Sequence, residues 1–396
     1  MRAASLAGMK RKLSILFVIF PLLASAGEKD NARRAADLNQ RSFVFDAHCD
    51  TILSMLKEGR DLGKRNKAGH IDIPRMIEGG LNAQVFALWV EPDHWPDHAA
   101  HRTLVMLDAL LNAVNKYPGR LSLALSAADA RKAYKEGKIA VFIGIEGGHA
   151  IEDDLAVLRM FHRLGVRLMT LTWMKNTNWA DGSGDDPEHG GLTPFGEKVV
   201  REMNRLGMVI DLSHVSDETF YDALKITNKP VVVSHSCCRS PCDHHRNPTD
   251  AMLKALAKNG GVIGINFFSA FLDPEVNKLS TRLWARIEKL WQKHEKDPAT
   301  YQKLKKPLVD EYKKKVPEVP IERLIDHIDH VVDVAGIDHV GLGSDFDGMS
   351  LTPRGLDDVS KLPLITEKLL ERGYSEEDIA KILGGNLLRV FETACD

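Results

Sequence analysis

Eight short apolar runs constrain the fold of this chain more than any other feature of its sequence. Each run is bounded by polar residues or glycine, and most are nearly continuous in apolar residues, as strands buried on both faces should be. The predicted strands are Phe43–Cys49, Ala83–Val90, Ile139–Ile145, Leu168–Trp173, Met208–His214, Pro230–His235, Gly261–Phe267 and His339–Ser344.

Segments with helical periodicity lie between these runs. Leu155, Leu158 and Phe161 recur at helical spacing in one such segment, and the apolar residues of 195–206 do so in another. Strands that alternate with helices predict a parallel sheet, and eight such units predict a closed (β/α)8 barrel, the TIM barrel of the α/β class. The alternative is an open doubly wound sheet, but no G-x-G-x-x-G segment follows the first strand and the chain has no P-loop.

Two stretches depart from this alternation. Between Phe268 and Pro320, apolar residues recur at helical spacing on a background rich in lysine and arginine, which predicts a helical insertion after strand 7. Residues 176–194 contain proline and Gly-Gly breaks and little periodicity. They predict a long loop after strand 4, which in a barrel would lie over the active face.

The first 26 residues have the pattern of a secretory signal peptide. A positive segment precedes an apolar run from Leu13 to Leu23, and Ala24-Ser25-Ala26 follows as a small-residue cleavage site. The run is too short to span a membrane comfortably, although an uncleaved anchor helix is the alternative. We therefore expect residues 1–26 to be removed and residues 27–396 to form a single barrel domain without a firm membrane anchor. Its expected location is the periplasm or the extracellular space.

The charge balance and the cysteine count exclude two further classes of protein. The chain has 53 basic and 55 acidic residues, a formal net charge of −2, so it has no basic footprint for nucleic acid. Five cysteines in 396 residues are too few for a disulfide scaffold. Because their number is odd, at least one thiol is expected to be free or to pair between chains.

Histidine and carboxylate residues gather at the ends of the predicted strands. In a parallel barrel, every C-terminal strand end opens onto one face, where catalysis takes place. Any one such residue could be an ordinary hydrogen-bonded packing residue, but packing does not explain six of them at five strand ends. The six candidates are His48, Asp50, Glu146, His214, His235 and Asp345.

The side-chain types in this set predict a metal centre. His48 and Asp50 are two apart on a strand and point to the same side, whereas Cys49 points away and is expected to be a buried thiol. Three histidines and three carboxylates suit zinc or another divalent ion. Six ligands are too many for one catalytic zinc, so they predict two ions about 4 Å apart, with Glu146 as the bridging carboxylate.

A series of short motifs surrounds these residues in a fixed order from about Phe43 to Phe391. They include Asp-Ala-His-Cys-Asp-Thr, Gly-Ile-Glu-Gly-Gly-His, Met-Thr-Leu-Thr-Trp, Asp-Leu-Ser-His-Val-Ser, Ser-His-Ser and Gly-Ser-Asp-Phe-Asp-Gly. Together they resemble the motifs of the membrane (renal) dipeptidase family within the metal-dependent amidohydrolase superfamily. The resemblance implies a bacterial-type exported member with two Zn²⁺ ions that hydrolyses small dipeptides, including those with a C-terminal D-residue. A homodimer is common in the family.

The resemblance also implies roles for individual residues. One ion would be held by His48, Asp50 and Glu146, and the other by Glu146, His214 and His235. Asp345 would be the general acid/base beside a metal-bridging hydroxide. Arg246 would bind the terminal carboxylate of the substrate, because a guanidinium suits that bidentate contact.

One position departs from the family pattern. Where the family carries a histidine after Leu-Thr at the end of strand 4, this chain has Trp173. An indole donates one hydrogen bond but cannot act as a cation or relay a proton, so Trp173 is either a packing residue or a wall against the substrate. Two alternatives to dipeptide hydrolysis therefore stay open. One is N-acyl amino acid deacylation or β-lactam opening at the same site, and the other is a non-catalytic protein that keeps the metal for stability.

Overall fold

The computed structural model describes residues 31–91, 98–294 and 297–396. The predicted signal peptide, residues 1–26, lies outside the described residues. Nine strands form one parallel sheet: β1 Val44–Cys49, β2 Leu81–Trp89, β3 Leu121–Leu123, β4 Ile139–Glu146, β5 Val166–Thr170, β6 Val209–Asp211, β7 Val232–Ser236, β8 Val262–Ile265 and β9 Val340–Leu342. Each of the eight predicted strands overlaps one of these elements.

The sheet closes into a barrel through a pairing that skips one strand. Its order is β2-β1-β9-β8-β7-β6-β5-β4-β3, and β2 also pairs with β4. That pairing runs in register from Ala83 opposite Ala140 to Trp89 opposite Glu146. Eight strands therefore form the ring, and the (β/α)8 barrel prediction is confirmed. The short β3 pairs with the beginning of β4 and was not predicted, because three residues are too few to show a period.

Helices surround the ring. They are α1 (31–41), α2 Thr51–Glu58, α3 Ile73–Glu78, α4 Ala99–Lys116, α5 Ala127–Lys135, α6 Leu155–Arg163, α7 Pro194–Leu206, α8 Asp217–Ile226, α9 Asp250–Asn259, α10 Ser269–Leu272, α11 Pro274–His294, α12 Pro298–Lys315, α13 Glu322–Ala335, α14 Leu362–Glu371, α15 Glu376–Ala380 and α16 Asn386–Cys395. Short 3₁₀ segments lie at Gly148–Ile151, Ile337–His339 and Val359–Lys361, and a π turn lies at Lys381–Gly385.

Helix α7 shows how the local sequence sets the element bounds. The Thr193 hydroxyl caps its N-terminus by accepting a hydrogen bond from the amide of Gly196. The helix ends at Gly207, whose φ of 75° is a left-handed conformation that glycine adopts without strain. The buried Val199 and Met203 are four residues apart and lie on the face toward the barrel core.

The interior of the barrel is filled at the end where the strands begin. The rings of Phe45 and Phe142 stack with their centroids 5.3 Å apart, and Phe391 of α16 lies 5.1 Å and 4.7 Å from them. All three side chains are fully buried. This aromatic plug closes the N-terminal end of the barrel, so the C-terminal strand ends are left to form a site.

The two predicted departures from the repeat are both present. Helices α10, α11 and α12 follow the seventh strand of the ring, β8, and the last two enclose a separate small apolar cluster that includes Leu283 and Tyr312. Residues 171–193, all of them described, form a loop without a helix or a named strand. None of the helices in the described part of the chain is both long and apolar enough to cross a membrane. The five cysteines are free thiols, and Cys49 is buried as expected.

Candidate metal centre

The C-terminal end of the ring carries the predicted ligands and two tryptophans. Going round the ring, the side chains at or just after the strand ends are His48 and Asp50 (β1), Trp89 (β2), Glu146 (β4), Trp173 (β5), His214 (β6), His235 (β7), Asn266 (β8) and Asp345 (β9). Each strand of the closed ring therefore contributes at least one side chain to this face.

Glu146 lies at the centre of the group. Its Oε1 is 2.9 Å from His214 Nε2 and 3.7 Å from His235 Nε2, and its Oε2 is 3.5 Å from His48 Nε2. His48 Nε2 is also 3.5 Å from Asp50 Oδ2. One carboxylate thus contacts all three histidines, which is the arrangement expected of a bridging ligand.

The donor atoms are placed to bind a metal ion rather than to form hydrogen bonds with one another. The Nε2 atoms of His214 and His235 lie 2.8 Å apart, so two potential lone pairs meet at one place. His48 Nε2 and Asp50 Oδ1 are buried without a hydrogen-bond partner among the described residues. A divalent cation would satisfy all of these atoms, because imidazole and carboxylate are its usual ligands.

In the described structure, two groups of three residues each have their ligand atoms within 4.8 Å of one another. One is His48, Glu146 and His235, and the other is His48, Asp50 and Asp345. His48 belongs to both, whereas the sequence-based assignment gave Glu146 to both ions. The structure therefore brings all six predicted ligands together, and their division between two ions stays a prediction.

The surroundings of the three histidines shift their pKa values in different directions. Burial disfavours a charged His48, but the neighbouring Glu146 and Asp50 outweigh burial and raise its pKa well above the usual value. Burial, with Arg246 and His48 nearby, lowers the pKa of His214 well below its usual value. Burial, with His48 and His214 nearby, does the same to His235. His214 and His235 are therefore neutral near pH 7, as metal ligands must be.

Asp345 has the environment of a proton carrier. Burial, followed by repulsion from Asp50, raises the pKa of Asp345 well above its usual value. The amide Nδ2 of Asn266 donates to Asp345 Oδ2 over 3.0 Å, which leaves Oδ1 as the oxygen that can hold a proton. The two oxygens of Asp345 therefore differ, because Oδ2 accepts a hydrogen bond from Asn266 and Oδ1 can carry a proton.

The backbone at two site residues is strained. His214 and Asp345 have φ values of 68° and 60°, a region that costs a side chain of this kind about 1–3 kcal/mol. Hydrogen bonds hold both conformations, because the Asp345 amide donates to the His48 carbonyl and the Ser183 amide donates to the His214 carbonyl. Such strain is typical of functional positions.

Two buried aspartates tie neighbouring strands together beneath the ligands. Asp211 on β6 accepts hydrogen bonds from the Ser234 amide (2.9 Å) and from the Ser234 hydroxyl on β7. Asp46 on β1 accepts from the Ser344 amide (2.7 Å) and the Ser344 hydroxyl (2.6 Å) beyond β9. We call these the Asp211 brace and the Asp46 brace. Each one fixes the spacing of two strand ends that carry ligands.

Arg246 lies against the ligand cluster. It is 4% exposed, and its Nη1 and Nη2 donate to the Ser236 hydroxyl and the His235 carbonyl, both over 3.1 Å. Burial lowers its pKa to about 10, which still leaves it charged at neutral pH. Its Nε is buried and has no hydrogen-bond partner among the described residues.

Trp173 lies beside the cluster and not within it. The centroid of its ring is 6.3 Å from that of His214 and 5.1 Å from that of Trp89. Both indoles are partly exposed.

Sequence reasoning missed Asn266, Trp89 and the two braces. Ser234 and Asp46 stood within motifs already singled out, directly before His235 and two residues before His48, so their positions were a usable signal. Asn266 and Trp89 also lie near the C-terminal ends of predicted strands, but neither is a histidine or a carboxylate, so the residue types that marked the ligands did not mark them.

Comparison with known proteins agrees with this geometry. The family model described as "Membrane dipeptidase (Peptidase family M19)" matches residues 32–396. "Dipeptidase tcpJ" of Claviceps purpurea (strain 20.1) is 36% identical over 341 residues, which cover 84% of this chain and 71% of that protein.

Solved structures with the same fold carry related descriptions. The probable dipeptidase PvdM from Pseudomonas aeruginosa is 29% identical, with a TM-score of 0.82 over 92% of this chain and 98% of its own. A metallo peptidase from Rhodobacter sphaeroides, liganded with a phosphinate mimic of the dipeptide L-Ala-D-Ala, is 28% identical, with a TM-score of 0.74 over 89% of this chain and 99% of its own.

Proposed function

The chain belongs to the membrane dipeptidase family and is a metallo-dipeptidase, and we propose that it binds two zinc ions and hydrolyses dipeptides that include those with a C-terminal D-residue. The observation that carries this proposal is the contact of one carboxylate, Glu146, with three histidine Nε2 atoms. A set of imidazoles around a shared carboxylate suits zinc. The phosphinate ligand of the Rhodobacter sphaeroides relative supports the D-residue part.

Asp345 and Asn266 would carry out the proton transfer in this reaction. Two ions held by the predicted ligands would lower the pKa of a water molecule and polarise the substrate carbonyl. Asp345 accepts a proton at Oδ1 and passes it to the leaving amine, while Asn266 holds Oδ2 in place.

Arg246 limits the length of the substrate. Both Nη atoms are held by β7 and each keeps a second hydrogen, so the guanidinium can donate to the carboxylate of a short peptide. A buried guanidinium binds a free carboxylate at one fixed distance from the metal cluster, so longer peptides place their terminus elsewhere.

The test is hydrolysis of a panel of L,L and L,D dipeptides by the protein lacking residues 1–26, with zinc and with a chelated control. N-acyl amino acids serve as the competing substrates. Zinc-dependent cleavage of dipeptides, L,D members included, is expected. A folded, zinc-loaded protein that cleaves only N-acyl amino acids would reject the proposal.

Replacement of Asp345 tests its role. Asp345→Asn removes the proton carrier but keeps the shape, so we expect kcat to fall by at least about 100-fold, the usual contribution of a general acid/base. Zinc content by elemental analysis should stay close to that of the unmodified protein. Full activity of the variant would contradict the assignment.

A further inference from the structure

Two tryptophans flank the strand that carries Glu146. Trp89 ends β2 and pairs with Glu146 at the end of β4, and Trp173 follows β5 on the other side of β4. The described strand ends of the ring carry ionisable or amide side chains everywhere except at these two positions. Apolar surface is therefore concentrated on one side of the metal cluster.

The two indoles form one continuous surface. Their ring centroids are 5.1 Å apart with an interplanar angle of 53°, a usual separation for an aromatic pair in contact. The indole N–H of Trp89 is buried and has no hydrogen-bond partner among the described residues, so Trp89 contributes apolar surface and not a donor. We call this surface the Trp89–Trp173 wall.

The Trp89 end of the wall and Arg246 lie on opposite sides of the ring, and the Trp173 end lies nearer to Arg246. Following the ring order, β2 is four strands away from β7 in either direction and β5 is two strands away, and Arg246 is anchored to β7 through Ser236 and the His235 carbonyl. An open cleft of about 470 Å³ is lined by Met174, residues 183–186 and His245, so it lies along the loop that follows Trp173.

This placement orients a dipeptide. With its terminal carboxylate at Arg246 and its scissile carbonyl at the candidate ligands, a dipeptide would extend its N-terminal residue toward the strands that carry the wall. We propose that the Trp89–Trp173 wall selects substrates whose N-terminal residue carries a large apolar or aromatic side chain. The inference rests on the proposed dipeptidase function and adds the substrate class to it.

The test compares two isomeric dipeptides, Phe-Ala and Ala-Phe, which differ only in which residue carries the aromatic ring. For the zinc-loaded protein, kcat/KM should be at least about tenfold higher for Phe-Ala, the discrimination that one buried large apolar side chain usually provides. In Trp173→His and in Trp89→Phe, the ratio of the two kcat/KM values should fall by about fivefold or more. The matched control is Trp284→His, because Trp284 is 54% exposed on α11 and outside the site.

A binding measurement separates this inference from the proposed function. Tryptophan fluorescence of the Asp345→Asn protein should respond to Phe-Ala at lower concentration than to Ala-Phe, and Trp173→His added to that protein should remove the difference. Equal kcat/KM values for both isomers in an active protein would overturn the inference, and so would an unchanged ratio in both site variants. If neither dipeptide is cleaved, the proposed function fails, and the fluorescence titration still decides whether the wall selects the N-terminal side chain.

Discussion

The hydroxyl of Ser234 determines which nitrogen of His235 is free to bind a metal. Ser234 Oγ contacts Asp211 Oδ2 and lies 2.7 Å from His235 Nδ1. A hydroxyl has one hydrogen to donate. Asp211 acts as an acceptor, since it also accepts from two backbone amides and the Thr170 hydroxyl, and the Ser234 hydroxyl donates its hydrogen to Asp211. His235 must then donate from Nδ1, which leaves the Nε2 lone pair free to bind a metal ion.

Ser234→Ala should therefore weaken metal binding without unfolding the barrel. We expect zinc affinity to fall by about 10- to 100-fold, as when other partners of metal-bound histidines are removed. Competition with a chromophoric chelator measures the affinity, and Ser280→Ala, a buried serine of α11, is the matched control. Equal zinc affinity in the two variants would show that Ser234 does not orient His235.

Asp347 anchors the loop that carries Asp345. Its Oδ1 accepts from the His70 amide (2.8 Å) and from Arg60 Nη1 (3.1 Å), and its Oδ2 accepts from the Thr51 hydroxyl (2.8 Å). Burial alone would raise the pKa of Asp347, but the hydrogen bonds from His70 and Thr51 outweigh burial and lower the pKa to about 2. The folded state thus favours the charged form of Asp347 more than the unfolded chain does.

The pH dependence of stability follows from the sign of that shift. Because the folded pKa lies below the ordinary value of 3.8, Asp347 stabilises the fold above about pH 4, and its contribution of about 2 kcal/mol is lost as the pH falls toward 2. Asp347→Asn should make the free energy of unfolding less dependent on pH between about pH 5 and pH 2. Urea unfolding at each pH measures this, with the exposed Asp357→Asn as control. An unchanged acid slope in Asp347→Asn would contradict the assignment.

At the scale of elements, the spacing between β7, β8 and β9 depends on two glycines. A Cβ atom on Gly343 or Gly264 would overlap the backbone carbonyl oxygen of Ser234. Backbone atoms cannot move aside as the end of a side chain can. The close approach of these strands positions Ser234 and Ser344 to donate to Asp211 and Asp46 in the two braces.

Gly343→Ala should therefore separate the strands and disturb the site. We expect the free energy of unfolding to fall by about 3 kcal/mol, the upper end of the usual overpacking penalty, together with a loss of bound zinc. Gly119→Ala is the control, because no atom lies within 4 Å of a Cβ built there. Similar urea midpoints for the two variants would show that the strand spacing tolerates a methyl group.

At the scale of the whole molecule, the candidate metal ligands come from strands in every part of the chain. His48 of β1 and Asp345 beyond β9 belong to one triad of ligand atoms, and they are almost 300 residues apart in sequence. An ion bound there stabilises the folded state alone, because the unfolded chain does not hold these ligands together.

Removal of metal should consequently lower the stability of the entire barrel. At free zinc about 1,000-fold above Kd, binding adds about 4 kcal/mol to the free energy of unfolding. Chelation should lower the melting temperature, and added zinc should restore it. In a His48→Ala protein, chelation should have a much smaller effect. Identical melting curves with and without chelator would exclude a role of the cluster in stability.

The sequence by itself determined the barrel and the candidate ligands. Strand and helix periods are local properties, so eight runs were enough to predict the ring, and residues such as His214 and His235 stood out because they end such runs. The helical insertion before Pro320 was predictable for the same reason. Export of the chain and removal of residues 1–26 stay predictions.

Only the tertiary structure decided which of these residues meet. The ring closes by pairing β2 with β4 past the short β3, and no local pattern encodes that choice. It is this pairing that brings Trp89 beside Glu146 and into contact with Trp173, and the neighbouring strands bring Ser234 onto Asp211. Contacts of this kind depend on the relative positions of strands far apart in sequence, so they could be read only once the barrel was closed.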